Sequence, residues 1–198
     1  DDEGLEISSY GSYYRVGQDP ERFEDVLASA VMLGAPVIRV WAGTVGSPEA
    51  ARATWDSVVA DTRRIATLAQ ADGLRIAFEY HDNTLTDTDE ATIQLLTDVN
   101  HAAVRCYWQM RESAASLDEH LEGLHSVLPW LEHVHVQASQ AGQRTPLETR
   151  ADAWRKILKV VASTGREHTA MLEFVRDDSP EQFLADAATL QSLRGDTL

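Results

Sequence analysis

A parallel α/β fold, with each strand followed by a helix, is predicted for this chain by three observations. Short β-like runs alternate with longer runs at helical spacing, six times in 198 residues, with no linker between the units. Apolar residues make up 43% and charged residues 25%, the balance of a globular protein able to bury a sizeable core as one domain over 1–198. No Gly-x-Gly-x-x-Gly follows any strand, which weighs against a dinucleotide-binding sheet. A doubly wound sheet and a closed barrel both satisfy this alternation.

The elements follow in order. Leu5-Glu6-Ile7-Ser8-Ser9 is the first strand candidate, and Tyr10 to Arg15 reads as a Gly- and Tyr-rich loop. Asp19 before Pro20 predicts a helix start, Phe23, Val26, Leu27 and Ala30 supply its apolar stripe, and Gly34 ends it. Val37 to Trp41 is a strand; Ser47-Pro48-Glu49 opens a long helix through about Ala71, stopped by Gly73. Leu74 to Tyr80 is a strand, and Asp87 or Thr88 caps the next helix. Val104 to Trp108 is a strand, and Ser116 starts a helix ending near Pro129. Leu131 to Val136 is a strand, followed by a polar loop with Gly142 and Pro146 and a helix over 151–162. Thr169 to Phe174 is the last strand, and Ser179-Pro180-Glu181 begins the last helix.

The formal net charge of −15 repels phosphate backbones, so nucleic-acid binding is not expected. A single cysteine, Cys106, excludes an intrachain disulfide and a Cys-based zinc site, and fits a reducing compartment. No apolar run approaches the ~20 residues of a membrane helix. Asp1-Asp2-Glu3 lacks the basic start of a signal peptide, and the expectation is a cytoplasmic protein.

Chemistry in parallel α/β folds gathers at the carboxyl ends of the strands. There the third strand reads Ala77-Phe78-Glu79-Tyr80-His81, and period-two alternation puts Ala77, Glu79 and His81 on one face. The fourth ends Tyr107-Trp108-Gln109, the fifth reads His133-Val134-His135-Val136-Gln137, and the sixth Met171-Leu172-Glu173-Phe174. Four successive strands thus end in a carboxylate, amide or imidazole. Any one alone is commonly a solvated or packed residue; together, oxygen ligands with an imidazole suit Mn²⁺, Mg²⁺ or Co²⁺, and Zn²⁺ is compatible.

The order Glu, polar residue, His, Glu over nearly the whole chain resembles the sugar isomerase/epimerase superfamily with the xylose-isomerase-like TIM barrel. The resemblance implies a (β/α)₈ barrel, with the first strand here matching the family's third. Two N-terminal units, about 50–60 residues on the usual ~250 of the barrel, are then lacking: either the chain is a trimmed piece of a longer protein, or a partner, which could be a second copy in a homo-oligomer, covers the otherwise exposed edge. It further implies metal ligands at Glu79, Gln109, His135 and Glu173, with Gln109 standing where relatives carry Asp. An amide brings no charge, so metal should be held more weakly.

The implied activity is isomerisation or epimerisation of a small sugar-like substrate. The ion polarises a carbonyl, and Glu79 and Glu173 move the proton on the adjacent carbon. Replacing either Glu by Gln should abolish turnover and leave the fold intact. His133, a pleat deeper than His135, is expected to pack. His81, Arg144, Tyr14 and Trp41, with Arg15, are candidates to contact substrate; a solvated loop or core packing is the plainer role open to each. Trp55, Trp130 and Trp154 read as packing residues. Rival readings are a metal-dependent lyase or dehydratase on the same scaffold, a non-catalytic sugar-binding barrel in which Gln109 marks a degraded site, a DNA-repair endonuclease disfavoured by charge, and a structural domain without a site.

Overall fold

Val37–Trp41 and Ala151–Ala162 form a strand and a helix over the residues their patterns predict. They do so in a computed structural model that describes residues 4–111 and 116–195; Asp1-Asp2-Glu3 lies outside the described residues. The chain divides into two compact units. One holds the described residues up to Tyr107 together with Trp130–Glu132; the other holds Trp108–Pro129 and the residues from His133 onward.

The first unit contains β1 (Tyr10–Arg15), α1 (Phe23–Leu33), β2 (Val37–Trp41), α2 (Arg52–Ala71), β3 (Arg75–Glu79), α3 (Asp89–Val99) and the start of β4 (Val104–Gln109). Its strands lie in the order β1-β2-β3-β4, all parallel. Each βα step reverses the chain through a helix, the connection parallel neighbours require. Ile38, Val40, Ile76, Phe78, Ile65 and Leu95 are fully buried between strands and helices.

The first strand is a correction. Leu5 and Ile7 are 78% and 45% exposed and in no strand, whereas Tyr10–Arg15, expected to be a loop, is β1. Pairing decides this: Tyr10 faces Ile38, Gly11 faces Arg39 and Arg15 faces Trp41, with a bulge between Gly11 and Arg15. Ser12 Oγ donates to the Arg39 carbonyl at 2.6 Å. Gly11 suits the place, since a Cβ there would meet the Arg39 guanidinium at 3.2 Å.

Two helix starts also shift. Pro20–Arg22 is a 3₁₀ turn ahead of α1, and Asp19 makes no capping hydrogen bond. Ser47–Glu49 is likewise a 3₁₀ turn; extended Ala50 and Ala51 separate it from α2. Its anchor is Asp87, whose Oδ2 accepts from Ser47 N at 2.9 Å. That leaves Thr88 as the α3 cap, accepting from Ala91 N at 3.1 Å.

The second unit contains the end of β4, α4 (Leu117–Val127), most of β5 (Leu131–Val136), a hairpin of β6 (Ser139–Gln140) and β7 (Gln143–Arg144), α5 (Ala151–Ala162), β8 (Thr169–Leu172) and α6 (Pro180–Gly195). β5 and β8 are parallel neighbours, with His133 opposite Thr169 and His135 opposite Met171. The hairpin replaces the expected loop: Ala141 and Gly142 both have positive φ, 51° and 73°, the turn that matches strand twist in a two-residue connection. β8 ends two residues earlier than expected, because Phe174 turns to φ 55°.

Trp154 anchors this unit. It is fully buried, meets Trp108 edge-on at 6.4 Å and donates from Nε1 to the Gln137 carbonyl at 2.9 Å. Trp154→Ala should therefore cost roughly 3–5 kcal/mol, read as a lowered denaturant midpoint. A shift below about 1 kcal/mol would show that the unit does not depend on this anchor.

Candidate active site

In the first unit the site is built on period-two alternation. Arg39 and Trp41 share one face of β2, and the β2–β3 register sets Arg39 opposite Ala77, so Glu79 lies one pleat further on. Arg39 Nη1 reaches Glu79 Oε2 at 2.6 Å, and Trp41 Nε1 donates to the same oxygen. The Glu79 side chain is 6% exposed and that of Arg39 13%. Two donors thus converge on one carboxylate oxygen in a dry setting, where charge-assisted bonds are strong.

Beyond Glu79 the backbone is pinned by buried threonines. Thr86 Oγ donates to the Glu79 carbonyl at 2.6 Å and Thr84 Oγ to the His81 carbonyl at 2.7 Å. His81 lies past the end of β3, partly exposed, with its ring 4.9 Å from that of Trp41. Trp41 is partly exposed and carries Arg15 over its ring at 4.2 Å.

Tyr14 is placed differently from Tyr13. Tyr14 is buried, with its hydroxyl 2.8 Å from Asp61 Oδ2 and its ring against Phe23. Tyr13 is 78% exposed and edge-on to Trp41 at 5.4 Å. Burial and then Asp61 push the Tyr14 hydroxyl well above the ordinary tyrosine range, and burial does the same to Tyr107. A folded pKa raised above the unfolded ~10 means the folded state holds these protons more tightly. The stability they add is complete below about pH 10 and is lost as pH rises further. Tyr14→Phe and Tyr107→Phe are expected to leave the phenolate absorbance change below about pH 11 unaltered. A smaller change in either variant would place that hydroxyl in water.

In the second unit His135 Nδ1 lies 3.2 Å from Glu173 Oε2. β5 supplies the buried imidazole, and Glu173 follows β8 directly, its N–H donating to the Val136 carbonyl at 2.9 Å. Phe174 in the left-handed region turns the chain sharply after it, an uncommon conformation for a bulky residue. His133 packs below: it is buried, and its Nδ1 accepts from Thr169 N at 3.0 Å. Gln109 ends β4, half-buried. Arg144 stands on the hairpin, paired with Asp178 at 2.6 Å and lying over Phe174 at 4.8 Å. A cleft of about 270 Å³ in this unit is lined by Arg111, His120, Gln137 and Arg150 among others, and by none of the ligand, catalytic or substrate-contact candidates named from sequence.

Sequence reasoning missed Arg39, Tyr13, Thr84 and Thr86. A signal for Arg39 was present: a charge inside the apolar run Val37-Ile38-Arg39-Val40-Trp41 must find a partner when the strand is buried.

The chain is similar to known proteins over most of its length. A 3-dehydroshikimate dehydratase of Bacillus anthracis is 26% identical over 142 residues, 69% of this chain and 51% of that protein, so the chain spans about half the length of the curated relative it matches. The solved structure of the probable 3-DHS dehydratase involved in petrobactin synthesis in Bacillus anthracis is 22% identical with a TM-score of 0.77, covering 96% of this chain and 77% of that one. A xylose isomerase-like TIM barrel protein from Mycobacterium smegmatis, solved in complex with magnesium, is 17% identical with a TM-score of 0.79, covering 100% and 76%. D-psicose 3-epimerase from Clostridium cellulolyticum H10, solved with D-tagatose, is 15% identical with a TM-score of 0.69, covering 96% and 78%. Among the described residues no helix is long and apolar enough to cross a membrane. With its parallel βα units and a match over residues 1–193, the chain belongs to the xylose isomerase-like TIM barrel family.

Proposed function

We propose that Glu79, His135 and Glu173 hold one divalent cation, with Gln109 as a weaker fourth ligand. The protein then moves a proton on the carbon next to a carbonyl of a small polyhydroxylated substrate, as a sugar isomerase or epimerase does. The observation that carries this reading is the His135–Glu173 pair. Two ligand atoms each about 2.1 Å from one ion lie about 3 Å apart, and these lie 3.2 Å apart on neighbouring parallel strands. Two carboxylates and an imidazole suit a hard or borderline divalent ion. The magnesium in the Mycobacterium smegmatis relative supports the same chemistry.

When bound, the ion supplies Lewis-acid polarisation of the substrate carbonyl. The chain's own side chains do the rest. Glu173, with a quarter of its side chain exposed, takes the proton from carbon. Glu79, fixed by Arg39 and Trp41, is the second carboxylate. Return of the proton to the neighbouring carbon gives isomerisation, and return to the same carbon from the opposite face gives epimerisation.

A second reading is favoured by the 26% identity to a 3-dehydroshikimate dehydratase. Here the same proton removal is followed by loss of a neighbouring hydroxyl as water. Both readings share one step, so the test addresses that step. The Mn²⁺-supplemented protein is incubated in ²H₂O with D-fructose, L-ribulose or 3-dehydroshikimate, and NMR follows deuterium at the carbon beside the carbonyl. Exchange into one of these, or its conversion to product, is expected. Inertness of all three with metal bound overturns the reading.

A further inference from the structure

We infer that Arg15 and Trp41 form a carboxylate-binding subsite beside Glu79, so that the substrate is a hydroxylated keto acid rather than a neutral ketose. The inference rests on the proton-transfer reading for the word substrate; the subsite itself stands on the first unit alone.

The Trp41 indole is the centre of the cluster. Its N–H goes to Glu79, its ring lies under Arg15 at 4.2 Å and near Arg39 at 5.1 Å, and Tyr13 and His81 flank it at 5.4 and 4.9 Å. The two arginines are in different states. Arg39 is ion-paired with Glu79 at 2.6 Å. Arg15 has no carboxylate partner among the described residues; its hydrogen bond is from Nη1 to the Gly43 carbonyl at 3.2 Å, a neutral acceptor. The chain has 32 acidic residues against 17 Lys and Arg. In so acidic a chain a half-buried arginine without an acidic neighbour is a place where a negative charge is wanted.

Geometry narrows the ligand. The bond at Nη1 and the stack on Trp41 hold the guanidinium plane, and they leave the Nε–Nη2 edge to donate two parallel bonds. That edge matches a carboxylate in bidentate fashion. One guanidinium carries one charge, which suits a carboxylate better than a phosphate dianion. The position is set by the sheet, since Arg15 is the last residue of β1 and pairs with Trp41 on β2. The same indole touches both Arg15 and Glu79, so an anionic group held at Arg15 places the body of the ligand at the Glu79 carboxylate. Tyr13, 78% exposed, offers a ring to a flat or cyclic ligand there.

The test is titration calorimetry with 3,4-dihydroxybenzoate and its uncharged counterpart 3,4-dihydroxybenzamide, each with and without Mn²⁺. Wild type is expected to bind the acid at least about tenfold more tightly than the amide under both conditions. Arg15→Gln should remove the preference while leaving amide affinity and thermal midpoint unchanged, and Arg15→Lys should keep part of it. Equal binding of both probes, no binding of either, or a preference that survives Arg15→Gln overturns the inference. Displacement of the acid by inorganic phosphate at lower concentration than by acetate, lost in Arg15→Gln, overturns the carboxylate assignment in favour of phosphate. Failure of the proton-transfer reading is distinct: deuterium exchange would be absent from wild type while the charge preference remained.

Discussion

Glu173→Gln is expected to lower kcat by about 10²- to 10⁴-fold, the range for loss of a positioned general base. The thermal midpoint should stay within a few degrees. Gln is isosteric and the side chain is a quarter exposed. Glu79→Gln separates the two carboxylates. Glu79 neutralises Arg39 in a buried setting, so its replacement leaves that guanidinium without a counter-charge. It should lose activity and also cost roughly 1–3 kcal/mol of stability. The structure thus refines the sequence expectation that either substitution would leave the fold intact. Steady-state kinetics and thermal melts of both variants decide it; Glu173→Gln retaining more than about a tenth of wild-type kcat would remove Glu173 from the proton-carrying role.

His135→Ala is expected to abolish stoichiometric metal binding. Replacement of a group that merely orients a ligand costs about 10- to 100-fold in affinity, and loss of a ligand should cost at least the upper end. Elemental mass spectrometry of wild type should find about one equivalent of Mn, Mg, Co or Zn, and His135→Ala close to none. Gln109→Asp tests the amide from the other side. A carboxylate adds a negative charge where Gln brings only a dipole, so affinity should rise by about tenfold or more at low salt. An unchanged Kd in Gln109→Asp would exclude Gln109 as a ligand. Wild type without metal after incubation with excess ion would bring forward the sugar-binding reading without catalysis.

Much of this was legible without coordinates. β2, β5 and α5 could be read to the residue because their signals are local: pleat alternation or near-continuous apolar runs in strands, a 3.6-residue stripe in the helix. Glu79, Gln109, His135 and Glu173 can be placed at or beside strand ends because a strand ends where its apolar run ends, whichever neighbours it has. β1 was misread for the complementary reason. Leu5 and Ile7 alternate correctly, but alternation does not say whether a neighbouring strand is in reach, and Tyr10–Arg15 is the segment that pairs with Val37–Trp41.

The sequence by itself determined the βα order, the family and the residue types at the strand ends. Only the tertiary structure decided which of those residues are bound to what. Glu79 belongs to Arg39 across 40 residues, Tyr14 to Asp61 across 47, and Arg75 to Glu132 across 57. Such pairings depend on strand register and on the direction each side chain takes from it. A one-residue slip turns every side chain to the other face, so contacts of this range are fixed only when the sheet is assembled.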